Sequence, residues 1–488
     1  MPPAWTLDQQ RGTAMATLDD NEIARARAEL THWGEPELNP LDALMWRTER
    51  PPADSWTGVV VMVLSETPSW ERVKAAHRWG VKVAPRFAER VVEPIVPTGP
   101  PMWTTDEKFD LDYHVRRVRL PGSGSMAELL ELAQGMAVTP LDRSRPPWAA
   151  TFVEGLEGGR AAYLLQAHHV LMDGAAATQL LSRMLDRTPD QAPVGMPDPT
   201  DRPQVSRKAA TGQGFRWQAS AAAKVLRESA RVVGQVAADP LGALRETSAY
   251  VSSVPRVATP PPRAASELLQ PGPRTKWRFG ALECDVLELK KAAKAVGGTV
   301  NDAFVASVLG GLRHYHDRHG ATLGDVPISM PVSMRREDDP MGGNRFTGAF
   351  FSAPSGIADP AERIRAMHDR VLRVRQEPAL DIMNKVTPLM NLAPTPLVAA
   401  AISGLNAGAT LTTSSWQGLP FETYWAGSRF ERMFVFGPLP GTSMCAALCT
   451  HEGVCCIGVN VDGDVFPDTD VLWECLQEGL DEVLALGR

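Results

Sequence analysis

No apolar run in this sequence reaches the ~18 residues that a membrane-spanning helix needs. The nearest, Pro396 to Thr412, is broken by Ser403, Gly404 and Asn406. If the chain meets a membrane, it is expected to lie on it rather than cross it. A basic excess is lacking too. The 50 Lys and Arg stand against 57 Asp and Glu, for a net charge of −7, so there is no global electrostatic footprint for nucleic acid. Cysteine is scarce: Cys284 stands alone, and Cys445, Cys449, Cys455, Cys456 and Cys475 lie near the C-terminal end. The spacing is not that of a disulfide framework, and no second ligand pair follows Cys445 and Cys449 at zinc-finger spacing. Reduced thiols and no metal are expected. Met1-Pro2-Pro3-Ala4-Trp5 lacks the charged start and apolar core of a secretory signal. The expected location is therefore cytoplasmic.

The chain has 488 residues, of which 44% are hydrophobic and 22% charged, enough for two cored domains. Residues 1–37 read as an N-terminal extension with a short helix from Asp19 to Leu30. From residue 38 to 187 strand and helix patterns alternate. Gly58 to Ser65 is a β-branched strand, and Trp148 to Val153 and Ala161 to Ala167 are two more. Trp70 to Trp79, Met126 to Met136 and Ala175 to Leu185 read as helices. Residues 188–274 form a Pro-rich crossover containing an amphipathic helix, Gly214 to Ala238, with Arg216, Lys224, Arg227 and Arg231 on its polar face. A second Pro-rich stretch, Val254 to Pro273, closes it. Residues 275–488 resume the mixed pattern, with strands over Thr275 to Leu282 and Gly453 to Val461 and a helix from Asn301 to His316. The fold class is α/β, layered as α+β. His314, His316 and His319, near Asp317, read as a solvated helix end.

The chemistry concentrates where the strand Ala161 to Ala167 runs into His168 and His169. Neighbouring side chains on an extended backbone diverge, so the two imidazoles cannot enter one cleft together. An imidazole can take and return a proton near neutral pH. Asp173 follows, and if buried it needs a cation, for which Arg335 at the end of Pro331 to Arg335 is the candidate. Gly174 allows a tight turn or the close approach of another segment. On the residues alone, proton transfer, packing and a metal site all remain open readings of this run.

The segment His168-His169-Val170-Leu171-Met172-Asp173-Gly174 fits the pattern His-His-x-x-x-Asp-Gly. That pattern resembles the CoA-dependent acyltransferase superfamily, which includes chloramphenicol acetyltransferase, plant alcohol acyltransferases and peptide-synthetase condensation domains. Flanking segments narrow the resemblance to the bacterial wax ester synthase/diacylglycerol acyltransferase family. They are Pro40 to Leu44, Phe109 to Val115, Pro146-Pro147-Trp148, Thr299 to Asp302, Pro331 to Arg335, Gly343-Asn344-Arg345, Tyr424 to Gly427 and Gly458 to Asp462. They span residue 38 to the C-terminus in the family's order. Two segments depart from it. Ser414 to Leu419 keeps only the first Ser and the Gly of the family's Ser-Asn-Val-Pro-Gly-Pro and carries Trp416, and Ser266 to Leu269 stands where Ser-Pro-Leu-Asn is usual.

The resemblance implies a two-lobed, chloramphenicol acetyltransferase-like fold with mixed sheets and a central tunnel. It implies O-acyl transfer from a long-chain acyl-CoA to diacylglycerol, giving triacylglycerol, or to a long-chain alcohol, giving a wax ester. Acyl-CoA is a co-substrate and no cofactor is needed. His169 would be the general base, with His168, Asp173 and Gly174 holding its loop. Asn301 would shape the oxyanion centre or simply cap its helix, and Arg335 and Asp302 would lend structural support. Peripheral contact with the inner face of a membrane or with lipid droplets is expected. The altered segment around Trp416 keeps two other readings in view. One is a relative using a carrier-bound donor or another alcohol or amine acceptor; the other is a non-catalytic lipid-binding homologue.

Overall fold

The computed structural model describes residues 34–51, 54–96, 98–190, 204–220, 227, 240–259, 262, 266–269, 276–335, 342–406 and 409–488. The helix read over Asp19 to Leu30 lies outside them, as does most of Gly214 to Ala238. Of that amphipathic segment, the part up to residue 220 belongs to a helical run, 207–220.

Two six-stranded sheets organise the chain. The first runs β11-β12-β1-β6-β5-β4. Its centre is β1 (Thr57–Leu64) and β6 (Ala161–His168), flanked by β5 (Trp148–Glu154) and β4 (Val115–Arg119). The Val-rich sequence of β1 pairs antiparallel with β6, Val60 opposite Leu165 and Thr57 opposite His168. Around this sheet pack α1 (Pro40–Thr48), α2 (Trp70–Val83), the single turn α3 (Leu111–His114), α4 (Met126–Ala137) and α5 (Gly174–Met184). A hairpin-like pair, β2 (Glu89–Val92) and β3 (Met102–Thr105), stands apart.

The second sheet runs β7-β14-β13-β10-β8-β9. Its strands are β7 (Trp277–Asp285), β8 (Val326–Ser333), β9 (Phe346–Ala353), β10 (Leu411–Gln417), β13 (Met444–His451) and β14 (Val454–Asp462). The helices are α6 (Pro240–Ala258), α7 (Val286–Ala295), α8 (Val300–Arg318), α9 (Pro360–Arg375), α10 (Ile382–Met390), α11 (Thr395–Asn406) and α12 (Thr469–Leu484). α8 is apolar nearly all round, as a helix in the middle of a core must be. Phe304, Val305, Val308, Leu309 and Leu312 are buried in one cluster with Leu472, Leu476 and Leu480 of α12.

Three sequence expectations are corrected. The first lobe is not built from residues 38–187 alone: β11 (Tyr424–Trp425) and β12 (Ser428–Phe436) return to it from the C-terminal third, and β12 pairs antiparallel with β1. Short pairing rules favour neighbours in sequence, and this strand finds its partner across the whole chain. The Pro-rich stretch beginning at Val254 is helical as far as Ala258, with Pro255 inside α6. Val251, one turn back, is exposed, and losing one ladder bond is tolerated best on such a turn. His316 is not at a solvated helix end. It is fully buried, its Nε2 2.7 Å from Ser266 Oγ and its Nδ1 2.7 Å from Leu312 O, because α8 is covered on that side by residues 266–269.

The lobes meet where β12 crosses β13 and β14. Val59, Val61 and Phe434 share one buried cluster with Trp277, Phe279 and Cys445, and Phe279 stacks on Phe436 with ring centroids 4.1 Å apart. Asn460 Nδ2 donates to Gly437 O at 2.8 Å. The backbones are so close that a Cβ on Gly458 would lie 2.3 Å from Val435 O. That contact is backbone to backbone, so no rotamer change relieves it. We predict that Gly458→Ala destabilises the protein by about 1–3 kcal/mol, measured as a lowered urea midpoint. Gly453→Ala is the contrast: its cost is confined to the positive φ of 81° with nothing near the added carbon. An unchanged midpoint in Gly458→Ala would show that the lobes do not depend on this approach.

Candidate active site

β6 ends at His168, and His169 to Leu171 form one short 3-10 turn before Met172 returns to extended backbone. Asp173 then caps α5, its Oδ1 accepting from Ala176 N at 2.8 Å. The two histidines are fixed to different parts of the first lobe. His168 N–H donates to Pro147 O and His169 N–H to Trp56 O. Their rings diverge as an extended backbone requires.

His168 is 2% exposed. Its ring packs against Trp46 at 5.2 Å. Its Nδ1 accepts the Val170 N–H at 3.1 Å, and its Nε2 faces Glu49 Oε2 at 3.3 Å. Burial acts to raise the Glu49 carboxyl, but His168, Arg143 and Thr57 outweigh it, and the group titrates below the ordinary range. With Nδ1 already accepting, a neutral His168 carries its proton on Nε2, toward that carboxylate. Neither nitrogen is left to act as a base.

His169 is half-buried, and its ring meets Phe346 edge-on at 5.8 Å. Its Nδ1 lies 2.8 Å from Asn344 Oδ1. Asn344 is itself buried, and its amide nitrogen donates twice, to Asp42 Oδ1 at 2.6 Å and to the His169 carbonyl at 2.7 Å. The other Asp42 oxygen accepts from Asn39 Nδ2 at 2.7 Å. Burial pushes the Asp42 carboxyl up to about 8, against the hydrogen bond from Asn344. Burial also lowers the His169 pKa, opposed by the Asp173 charge and by Asn344. A neutral imidazole is therefore favoured, and among the described residues no hydrogen bond occupies its Nε2.

Asp173 joins the lobes. Beyond its capping bond, Oδ2 accepts the Arg345 N–H at 3.0 Å, and Arg335 Nη2 lies 3.3 Å from both carboxylate oxygens. Arg335 Nη2 also donates to Gly343 O at 3.0 Å. Gly342 and Gly343 both have positive φ, 79° and 65°, which side chains rarely adopt. This turn lets Gly343 bridge to Met172 and sets Asn344 beside His169.

Gly174 carries no Cβ, and the space is taken by Trp416 of β10. A Cβ there would sit 3.2 Å from the indole Cγ. Trp416 Nε1 donates to Thr178 Oγ1, which in turn donates to Gln417 O at 2.8 Å. The residue that departs from the family pattern thus lies on the helix that follows the histidine motif. Asn301 is elsewhere. Thr299 caps α8 in a reciprocal box with Asp302, and no hydrogen bond among the described residues joins Asn301 to His169. Asp302 is buried, bonded to Thr299 and, at 2.7 Å, to His368 Nδ1. Cys445 and Cys456 are buried, which pushes their thiols up to about 12, and no group of three or more ligating side chains that could hold a metal occurs among the described residues.

Sequence reasoning missed Asn344, Asp42 and Asn39 as members of the site. Two of them sat in segments that carry the family resemblance, Gly343-Asn344-Arg345 and Pro40 to Leu44. Their separation from His169 left no local signal of contact.

The profile of the wax ester synthase/diacylglycerol acyltransferase catalytic domain matches residues 38–304, and that of the WS/DGAT C-terminal domain matches residues 342–483. A protein of Mycobacterium tuberculosis H37Rv that carries a provisional diacylglycerol O-acyltransferase name is 34% identical over 456 residues, 92% of either chain. Among solved structures, the wax ester synthase/diacylglycerol acyltransferase of Marinobacter aquaeolei VT8 superposes with a TM-score of 0.61 at 21% identity, covering 93% of this chain and 100% of that one. The first condensation domain of the calcium-dependent antibiotic synthetase gives 0.59 at 17% identity, covering 92% and 96%. These two likenesses show the two-lobed acyltransferase fold. The profile matches show more: this chain belongs to the wax ester synthase/diacylglycerol acyltransferase family of acyl-CoA-dependent O-acyltransferases.

Proposed function

We propose that His169 is the general base of this transferase and that the acceptor is a lipid alcohol, diacylglycerol or a long-chain alcohol. One observation carries the reading. The imidazole of the half-buried His169 is held through Nδ1 by Asn344, while among the described residues no hydrogen bond occupies Nε2. Nε2 takes the proton from the acceptor hydroxyl as its oxygen attacks the thioester carbonyl of acyl-CoA. The tetrahedral oxyanion collapses, the C–S bond breaks, and the proton passes from the imidazolium to the departing sulfur. The products are the ester and free CoA. Atoms and protons balance with acyl-CoA as co-substrate and no cofactor. His168, Asp173, Arg335 and Gly174 act by holding the loop.

An apolar strip supports a long acyl chain. Tyr163, Leu165 and Ala167 alternate along β6 on the face opposite Leu164 and Gln166, all three half-buried. Val60 of β1 and Val435 of β12 extend that face beside Leu165. We place the enzyme in the cytoplasm, in peripheral contact with a lipid surface. Support comes from the exposed Leu389, Leu392 and Leu397 in and around α10 and α11, beside α1. No single helix among the described residues is long and apolar enough to cross a membrane.

The test is thiol release from a long-chain acyl-CoA, with ester formed on diacylglycerol or a long-chain alcohol. His169→Ala is expected to lower kcat by about 10²–10⁴-fold. An active His169→Ala with a dead but folded His168→Ala would reverse the roles of the rings. Lipid binding without turnover on any thioester would sink the reading altogether. The pH profile is a second check. The base works only when neutral, and burial lowers its pKa. Rate should therefore hold as pH falls through the usual imidazole value of ~6.5 and decline only below it. A decline centred above that value would contradict a desolvated base.

A further inference from the structure

Three segments far apart in the chain are joined by hydrogen bonds at the Nδ1 edge of His169: the turn after β6 that carries it, the loop before β9 with Asn344, and the start of α1 with Asp42. We propose that Asn344 and Asp42 are positioning residues for the acyl transfer, fixing His169 as the Nδ1–H tautomer so that its lone pair lies on Nε2. This deepens the general-base reading and rests on it.

The argument is one of donors and acceptors. An Asn side chain offers one acceptor oxygen and two donor N–H groups. Asn344 Nδ2 has two acceptors in reach, Asp42 Oδ1 at 2.6 Å and the His169 carbonyl at 2.7 Å. A backbone carbonyl cannot donate. The Asp42 carboxyl in turn meets amide N–H groups on both oxygens, Asn39 Nδ2 at 2.7 Å being the second. Asn39 is fixed by its own role as cap of α1, where its Oδ1 accepts Asp42 N–H at 2.9 Å. The orientation of the Asn344 amide is therefore not free. Its oxygen must face His169 Nδ1, at 2.8 Å, and an acceptor there requires the proton on Nδ1. The tautomer of an imidazole is set by the bond its other nitrogen makes.

The reverse orientation shows what is at stake. With the Asn344 amide flipped, an N–H would point at Nδ1 and that nitrogen would have to accept. The proton would move to Nε2, the ring would face its substrate with a donor, and no base would remain. Flipping would also set an oxygen against the His169 carbonyl and against Asp42. The clash with the His169 carbonyl is decisive, because a backbone carbonyl cannot donate whatever the protonation of the Asp42 carboxyl. Asp42 is 3% exposed, so water does not take its place.

His169 is one of 10 histidines. Its tautomer can be read by nitrogen NMR on protein labelled at histidine, with His169→Gln supplying the assignment. The wild-type ring is expected to show a bare Nε2 and a protonated Nδ1 at a pH where it is neutral. Asn344→Ala should lose that preference and lower kcat by about 10–100-fold with KM little changed. Asp42→Asn, which puts an amide where a carboxyl now meets N–H groups on both oxygens, should act in the same direction. Asn344→Asp keeps an oxygen toward Nδ1 and shares a proton with Asp42, so it should keep Nδ1 protonated and retain more activity than Asn344→Ala. A wild-type ring protonated on Nε2 would overturn the proposal with no variant needed. So would an Asn344→Ala protein of wild-type tautomer and kcat. Should a variant fail to fold by circular dichroism, the wild-type spectrum still decides. Should the enzyme turn over no acyl-CoA while the spectrum is as expected, the function fails and the tautomer control stands.

Discussion

The carboxylate of Asp173 accepts from its own helix through Ala176 N–H, from the second lobe's backbone through Arg345 N–H, and from the Arg335 guanidinium. Remove any one of these and a nearly buried carboxylate is left short of donors, which is costly away from water. That requirement brings the loop before β9 onto the histidine motif. With it come Gly343, bridged to Met172, and Asn344, bonded to His169. The ion pair is thus less a source of stability than a register mark. Its geometry, 3.3 Å to each oxygen, is too long for a strong bidentate pair, but it admits one placement of the loop.

Division of labour between adjacent histidines follows from the same physics. Both are imidazoles on one strand end, and their neighbours send them different ways. His168 is walled in by Trp46 and satisfied on Nδ1 by a backbone N–H two residues on. His169 is held on Nδ1 by a side chain that can only accept there, which leaves the distal nitrogen open. Burial then lowers the His169 pKa, so the open nitrogen carries a lone pair at neutral pH. Adjacent sequence positions give opposite donor and acceptor patterns because the strand points them at different lobes.

Much of this was readable from the chain. The strand ending in His168, the helix opening at Gly174 and the need of Asp173 for a cation all come from local pattern and from the energetics of a buried charge. The family resemblance named the fold. What could not be read was long-range. Asp42, Asn344 and His169 share hydrogen bonds across separations of 302 and 175 residues, and no periodicity encodes such a contact. β12, over Ser428 to Phe436, was not read as a strand from the sequence, and its pairing with β1 in the first sheet is a contact across the whole chain of the same kind. At the start of α8 the local signal was ambiguous. Thr299, Asn301 and Asp302 are all cap-formers, and only the reciprocal Thr299–Asp302 bonds decide which one caps.

Trp416 lies beside the histidine motif without entering the bonds around His169. The indole lies on Gly174 and is tied to Thr178 of α5, and its partly buried ring packs against a cluster containing Phe152, Leu419 and Met433. None of the bonds that orient His169 passes through it. They run instead through Asn344 and Asp42, and the loop is held by Asp173. A change in β10 can therefore reshape the wall beside α5 while the imidazole keeps its tautomer and its place. The converse does not hold. The Asn39 and Asn344 side-chain amides each donate to two acceptors, Asp42 among them, so a substitution at Asp42 or Asn344 strands a partner. In this chain the polar network that orients His169 and the apolar wall at Trp416 are separate, so the wall can change without touching that network.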